Sequence, residues 1–431
     1  MNLIIKKSFL LLLFFIYVFN IHFIIFPYTT NFIAGVMIAC FFIVGFFINK
    51  KYQLMPKDII QILLLSLALI AIASISVLIN STKDIALIKE TIVILFVMFT
   101  AYALTRYTKR IYQKVTFEVI ANIYVIVALV QVIISLFFFF FPEIQSTALS
   151  ILKRDELEES RIDELLGFRL IGFGAQFFGA GVTYSFILIV LAALLKNNVF
   201  SYKQTFLYIG IYLFIFALGM MTARTTIVGF LLSIPILVYN PKYKIKKQRL
   251  FKKVLLSIVI IASCIAIVII SLDQETKEEL LVIVDFGFEL FINLTSSGEI
   301  TTSSTEIMKN MYIFPDNIKT WIIGDALFTN PNDGGIYYME TDIGYSRLLF
   351  YFGILGTLSY FLLHSAIIYF ASKRNEKKYK FFFFIVFILF LTLNLKGITS
   401  LSVLVFPFLF VETSNKQQGD KLYIPEDSGV N

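Results

Sequence analysis

The chain has only two cysteines, Cys40 and Cys264, and both lie inside apolar runs, so it carries neither a disulfide framework nor a cysteine metal motif. Its two histidines, His22 and His364, stand alone in or beside such runs. No zinc or haem spacing results, and both are expected to be structural. Charge is scarce too: 15% of the 431 residues are charged against 58% hydrophobic, with mean hydropathy +0.83. That balance excludes a soluble domain. The net charge of +8 is therefore a matter of where basic residues sit along a membrane chain, not a nucleic-acid signal. No small-residue cleavage site follows the first apolar run, so it is expected to stay as a helix. There is no internal repeat and no segment with a soluble core of its own.

What is present is apolar sequence in runs of roughly 18 to 25 residues, each long enough to cross a ~30 Å hydrocarbon core as a helix. Five such spans are expected in residues 1–141 (at 8–26, 31–48, 59–79, 85–104 and 117–141). A polar insertion at 142–169, rich in Asp and Glu, separates them from four more in 170–272 (at 170–195, 205–221, 225–239 and 254–272). A second insertion at 273–345 precedes the last three, in 346–411, and residues 412–431 read as a cytoplasmic tail. The basic clusters (Lys6-Lys7, Lys50-Lys51, Arg106 to Arg110, 196–203, 242–253 and 373–380) alternate with the two acidic insertions. With both termini cytoplasmic, every basic cluster falls inside and both insertions outside. The expected fold is thus an all-α integral membrane protein of about twelve transmembrane helices with two long outer-face loops.

Within the larger loop, residues 275–294 are too short and too acidic an apolar stretch to span and are expected to form a helix lying on the membrane surface. Ser303 and Glu306 have capping-box spacing, which predicts a short helix from there to Phe314, stopped by Pro315. Residues 321–356 then change abruptly from turn-rich (Gly324-Asp325, and Asn330-Pro331-Asn332-Asp333-Gly334-Gly335) to apolar. Glu340, Asp342 and Arg347 fall at that junction, at the mouth of a membrane helix.

Three stretches carry a resemblance. They are Arg169 with Leu170-Ile171-Gly172-Phe173-Gly174, then Gly219-Met220-Met221-Thr222-Ala223-Arg224, then Asp342-Ile343-Gly344-Tyr345-Ser346-Arg347 followed by Tyr351-Phe352-Gly353-Ile354-Leu355-Gly356. In this order and topology the chain resembles Wzy-type O-antigen and capsular polysaccharide polymerases, within the O-antigen polymerase and ligase superfamily. The resemblance covers roughly residues 161–363; the first five spans match only in hydropathy. It implies a GT-C-like glycosyltransferase acting on polyprenyl-diphosphate-linked oligosaccharide, with no nucleotide sugar, cofactor or essential metal, and with a chain-length regulator as a possible partner. The ligase branch has a histidine in the large outer loop and residues 273–345 have none, which places polymerase ahead of ligase. A flippase for the lipid-linked repeat is the alternative from another class, although its kind usually has short connections.

The residues agree with that chemistry. Arg169, Arg224 and Arg347 are all predicted at outer helix ends, at one depth, where a lipid diphosphate would sit. A guanidinium binds phosphate oxygens bidentately and stays charged; the competing reading is that each anchors a helix end among headgroups. Glu340 and Asp342 are the carboxylates nearest the membrane. Their i, i+2 spacing does not put both on one helical face, so one of them is expected to serve as base while the other pairs or is solvated. Asp325 is expected to cap its turn, and Arg161 to be a solvated loop charge. Lys396, in the middle of the last apolar stretch, marks either a turn between two spans or a buried functional charge. Gly172, Gly174, Gly179 and Gly181 suggest close helix packing. Contacts with membrane lipid are expected of the basic 242–253 loop.

Overall fold

The computed structural model describes residues 3–48, 57–153, 167–174, 177–197, 200–238 and 272–412. The 242–253 loop, nearly all of the expected ninth span, Arg161 with the acidic run around it, and the tail beyond Glu412 lie outside the described residues. In chain order the α-helices are α1 (Leu3–Val18), α2 (Thr30–Ile48), α3 (Lys57–Asn80), α4 (Ala86–Tyr112), α5 (Phe117–Phe140), α6 (Pro142–Ser150), α7 (Phe177–Asn197), α8 (Tyr202–Thr222), α9 (Thr226–Val238), α10 (Gln274–Ser296), α11 (Ser303–Lys309), α12 (Ile318–Ile322), α13 (Gly344–Arg374), α14 (Lys380–Leu393) and α15 (Ser402–Leu409). A two-stranded antiparallel hairpin, β1 (Thr329–Asn330) and β2 (Asp333–Tyr337), stands between α12 and α13. Among the described residues, six helices are long and apolar enough to cross a membrane: α3, α4, α5, α7, α8 and α13; α2 and α9 contribute shorter apolar helices. The chain is a multi-pass membrane protein.

The bundle is organised around α7, which is buried from Ala180 to Leu194 and apolar all round, the pattern of a helix with neighbours on every side. It packs against α5, α8, α9 and α14. Close approach comes from small residues, as in helix pairs generally within lipid. A Cβ on Gly229 would lie 2.2 Å from the Ser185 Cα, and one on Gly35 would lie 2.0 Å from the Phe96 carbonyl oxygen. One end of the bundle is stitched by ion pairs. Arg374 and Lys373 meet Asp58, Lys378 meets Glu118, and Lys109 meets Glu412.

The opposite end collects the broken helices. Helix α13 is interrupted at Phe352 and Gly353, where Gly353 takes φ +65°. The break frees the carbonyls of Phe350 and Tyr351, and such groups must find partners inside a membrane protein. The loop supplies them: the Asp325 and Ala326 amides donate to Phe350 and Tyr351 at 2.6 and 2.9 Å. Ser76 Oγ, from α3, adds a second bond to Tyr351 O at 2.9 Å. Gly324 (φ +80°) and Gly353 lie backbone to backbone at this crossing. A Cβ on Gly353 would sit 2.2 Å from Ile322 O, and one on Gly324 would sit 2.5 Å from Phe352 N. Asp84, in the α3–α4 turn, completes the clasp: its carboxylate accepts from the Phe328 amide, and its carbonyl from the Tyr351 hydroxyl.

Several expected elements differ. The first span ends at Val18, not residue 26: Asn31 Nδ2 donates to Tyr17 O and to Asn20 Oδ1, and residues 22–24 instead bond with 151–153 beyond α6. The span expected from residue 170 begins as a helix only at Phe177. Before it, Leu170 is hydrogen-bonded to Met221, and Gly172 lies against Gln131 and Ser135 in a non-helical segment. The expected final pair of spans is a 14-residue and an 8-residue helix, both shorter than the ~20 residues a crossing needs, joined by a partly buried turn. In the large loop, α10 is helical as expected and packs against α8, with Leu280, Ile283 and Gly287 buried. Helix α11 is capped one residue earlier than the Ser303–Glu306 pair suggests, by Thr302 and Thr305, because the Ser303 amide is taken by Glu289. It stops at Lys309, five residues short of Phe314, where Met311 O and the Tyr312 hydroxyl bond to Thr341 and Leu395.

Candidate functional site

At the end of the bundle with the broken helices, beneath α10 and α11, lies a cavity of about 310 Å3. Its lining includes Arg169, Arg224, Arg347, Asp342 and Lys396, with Phe177, Phe286 and Tyr337 among the apolar and aromatic walls. The three arginines come from separate stretches of chain. Arg169 precedes the non-helical segment before α7, Arg224 sits in the turn between α8 and α9, and Arg347 is in the first turn of α13. Each turn is fixed by its own bonds. Thr226 Oγ1 donates to Gly219 O and Ser185 Oγ to Thr225 O, which hold the α8–α9 turn. The Tyr345 amide donates to Asn394 O, which ties the start of α13 to the α14–α15 turn.

The arginines are not equivalent. Arg169 and Arg224 approach one ring, Phe286 of α10, with guanidinium carbons 4.3 and 4.0 Å from its centroid. Such stacking offsets the cost of bringing two cations together. Arg224 is also engaged by the loop: Nε donates to Phe286 O at 2.7 Å, Nη1 donates to Ser303 Oγ, and the guanidinium forms an ion pair with Glu289. Its donors are largely spent on holding α10 and α11 over the cavity. Arg347 is different. It is 8% exposed and its guanidinium carbon stacks 3.4 Å from the Tyr337 centroid and 4.3 Å from that of Phe328. Among the described residues its Nε and Nη2 are buried with no hydrogen-bond partner. Nε and Nη2 lie on one edge of the guanidinium, the geometry that meets a carboxylate or phosphate bidentately.

Lys396 is the fourth cation. Its turn is built by Asn394, which is fully buried: Oδ1 accepts from the Thr399 amide and Nδ2 donates to Phe390 O. Lys396 Nζ donates to Thr225 Oγ1 at 3.2 Å. Burial, together with the charges of Arg169 and Arg224, pushes its ammonium down to about 8, against the pull of Asp342. Of the two readings open from the sequence, the structure joins them: Lys396 is on a turn, and the turn delivers it to the cavity.

The two carboxylates separate. Asp342 lines the cavity and acts electrostatically on both Arg347 and Lys396. Glu340 does not join the arginines. It is exposed and lines a neighbouring depression, because Met339 and Glu340 both take left-handed backbone (φ +58° and +53°) and turn the chain between the two acids. Asp325 is not a cap of its own turn; it accepts from Thr320 Oγ1 and from the Tyr338 hydroxyl. His364 is bonded to Ser402 within the bundle and His22 to Phe26 O, as expected of structural histidines. The sequence reading overlooked Glu90 of α4, which acts electrostatically on Arg347 from inside an apolar helix. An acidic residue within a membrane span was the available signal. It also overlooked the aromatic cradle of Phe286, Phe328 and Tyr337, hidden among the 48 phenylalanines and 22 tyrosines of the chain.

The arrangement suits a multiply charged anion. Four cations, one carboxylate and aromatic walls surround a space that admits a phosphate-sized or diphosphate-sized group, and an arginine offers two free donors on one planar fork. Comparison of the chain with models of protein families, with curated proteins and with solved structures finds no match.

Proposed function

We propose that the protein is a polysaccharide polymerase of the Wzy type, a metal-independent glycosyltransferase that joins polyprenyl-diphosphate-linked oligosaccharide repeat units into O-antigen, capsule or exopolysaccharide. The observation that carries the reading is the convergence of Arg169, Arg224, Arg347 and Lys396 on one cavity with Asp342 among them. In this reading the protein sits in a bacterial inner or plasma membrane with both termini cytoplasmic and the cavity on the outer face. In this reading the six long spans belong to a GT-C-like bundle of about twelve crossings.

The chemistry is a displacement at the anomeric carbon. A hydroxyl of the acceptor repeat forms the new C–O bond while the bond to the diphosphate breaks, and its electron pair leaves on the diphosphate. Arg347, with Arg169 and Lys396, neutralises the charge that develops there, which is the largest catalytic contribution such a site can make. Asp342 takes the hydroxyl proton; Glu340, turned away, is not the base. Arg224 keeps the loop in place.

The test is the length distribution of surface glycan and of carrier-linked intermediates after deletion of the gene. A polymerase defect leaves single repeats on the outer face and no ladder of lengths. Long chains still attached to the carrier would instead indicate a ligase, and repeats trapped on the cytoplasmic leaflet a flippase; either pattern rejects the proposal.

A further inference from the structure

The cationic cavity has a neighbour of different chemistry. The depression that Glu340 lines is larger, about 610 Å3, and more open, and it shares the side chains of Ile307 and Met311 with the cavity as a common wall. Its polar groups are the amides of Asn310 and Asn330 and the Glu340 carboxylate; the Tyr338 ring and Met339 supply apolar surface. Among the described residues, no arginine or lysine lines it. A phosphate would meet one negative charge there and no positive one. Amides and a carboxylate beside an aromatic face are what an uncharged polyol needs: the polar groups exchange hydrogen bonds with neighbouring hydroxyls, and the ring covers the C–H face of a sugar. The volume falls within the range of about 300 to 1,000 Å3 typical of small-molecule sites.

The backbone adds a second argument. Met339 and Glu340 are consecutive non-glycine residues in the left-handed region, which side chains avoid unless the surroundings hold them there. Their flanks do hold them. Tyr338 is fixed through its amide to Phe328 O and its hydroxyl to Asp325, and Thr341 through Oγ1 to Met311 O. Strain maintained from both sides delivers Glu340 to the depression, and among the described residues no hydrogen bond or ion pair of its carboxylate requires it. We propose that this depression is an oligosaccharide-binding subsite for the uncharged sugars of the lipid-linked repeat whose diphosphate occupies the adjoining cavity, a proposal that rests on the polymerase reading.

The experiment uses the full-length protein in detergent with two probes. One is the repeat-unit oligosaccharide of the producing strain, released from its carrier by mild acid and free of phosphate; the other is inorganic pyrophosphate. Asn310 and Glu340 are both exposed, so Asn310→Ala and Glu340→Ala are expected to fold with unchanged melting temperature. Each should weaken oligosaccharide binding about fivefold or more, the value of one hydrogen bond, and leave pyrophosphate binding as it was. Glu340→Gly, which also relieves the backbone, should raise the melting temperature while binding sugar as poorly as Glu340→Ala. Arg347→Ala should give the opposite pattern, with pyrophosphate lost and sugar retained. Failure of the unaltered protein to bind the oligosaccharide, or equal binding by the Asn310 and Glu340 variants, overturns the subsite. Sugar binding that depends on these residues, in a protein that does not bind pyrophosphate, would uphold the subsite and remove the diphosphate reading.

Discussion

Replacing Arg347 by methionine keeps the length and apolar stem of the side chain and removes the guanidinium. Two consequences for stability oppose each other. The stacked contacts with Tyr337 and Phe328 are lost, at about 0.5 to 2 kcal/mol each. The cost of keeping a largely buried charge out of water is relieved as well. The two effects act in opposite directions, so melting temperature should change little. Catalysis has no such compensation. One charge-assisted hydrogen bond to a diphosphate oxygen is worth about 1.5 to 3 kcal/mol. If it is made to the leaving group in the transition state, its loss slows the reaction about ten- to two-hundred-fold. Arg347→Lys should recover only part of this, since it restores the charge without the planar fork. The assay is formation of the glycan ladder from purified lipid-linked repeat at matched protein concentration, alongside thermal unfolding. A normal ladder from Arg347→Met, or a ladder lost only in step with a collapse in melting temperature, would refute the reasoning and return Arg347 to a packing role.

Lys396 predicts a pH dependence. Its ammonium is held down to about 8 by burial and by Arg169 and Arg224, with Asp342 opposing and Thr225 and Phe178 as its uncharged neighbours. An anion in the cavity favours the charged form, so pyrophosphate affinity should be full below about pH 8 and fall as pH rises above it; Lys396→Arg should abolish the fall. The sign for stability is the reverse: because the folded value lies below the ordinary lysine value of 10.5, the empty protein gains stability as pH rises from about 8 towards it. Lys396→Met should therefore raise the melting temperature at neutral pH while lowering activity. Gly353→Ala should prevent accumulation of folded protein, since its Cβ would meet Ile322 O at 2.2 Å in a left-handed backbone, whereas Gly298→Ala (φ +76°, open space around it) should cost only the backbone term of about 1 kcal/mol.

The long helices were legible because their signal is redundant. Residues 59–79 and 117–141 are continuous apolar runs bounded by polar residues, and α3 and α5 match them within two residues at each end. The failures share a cause. At residues 19–26 and 170–174 the sequence is as apolar as in a helix, but the backbone is non-helical and its polar groups are met by distant partners such as Ile151, Met221 and Gln131. Hydropathy reports that a segment is buried, not how its amides are paired. The same holds at Gly353. The sequence marks residues 321–356 as a change of character, but the break in α13 depends on Asp325 and Ala326 arriving at the freed carbonyls, which no local pattern encodes.

The site was legible where charge contradicts its surroundings. Arg169, Arg224 and Arg347 stand out because they depart from the bias of basic residues towards the other end of the bundle, and the fold brings all three to one cavity. Asp342 and Glu340 are two residues apart and indistinguishable in sequence. What separates them is a pair of left-handed residues, Met339 and Glu340, neither of them glycine or asparagine, so nothing in the residue types announces the turn. The same argument explains why Arg224 reads like Arg347 and behaves differently. Glu289 lies 65 positions away on a helix whose docking depends on Gly287 meeting the Met220–Met221 backbone. A cation's freedom to bind a ligand is set by whether the fold has already given it a partner, and that is a property of the assembled bundle. Arg347, whose Nε and Nη2 have no hydrogen-bond partner among the described residues and whose guanidinium is stacked on Tyr337 and Phe328, is the arginine best placed to take an anion.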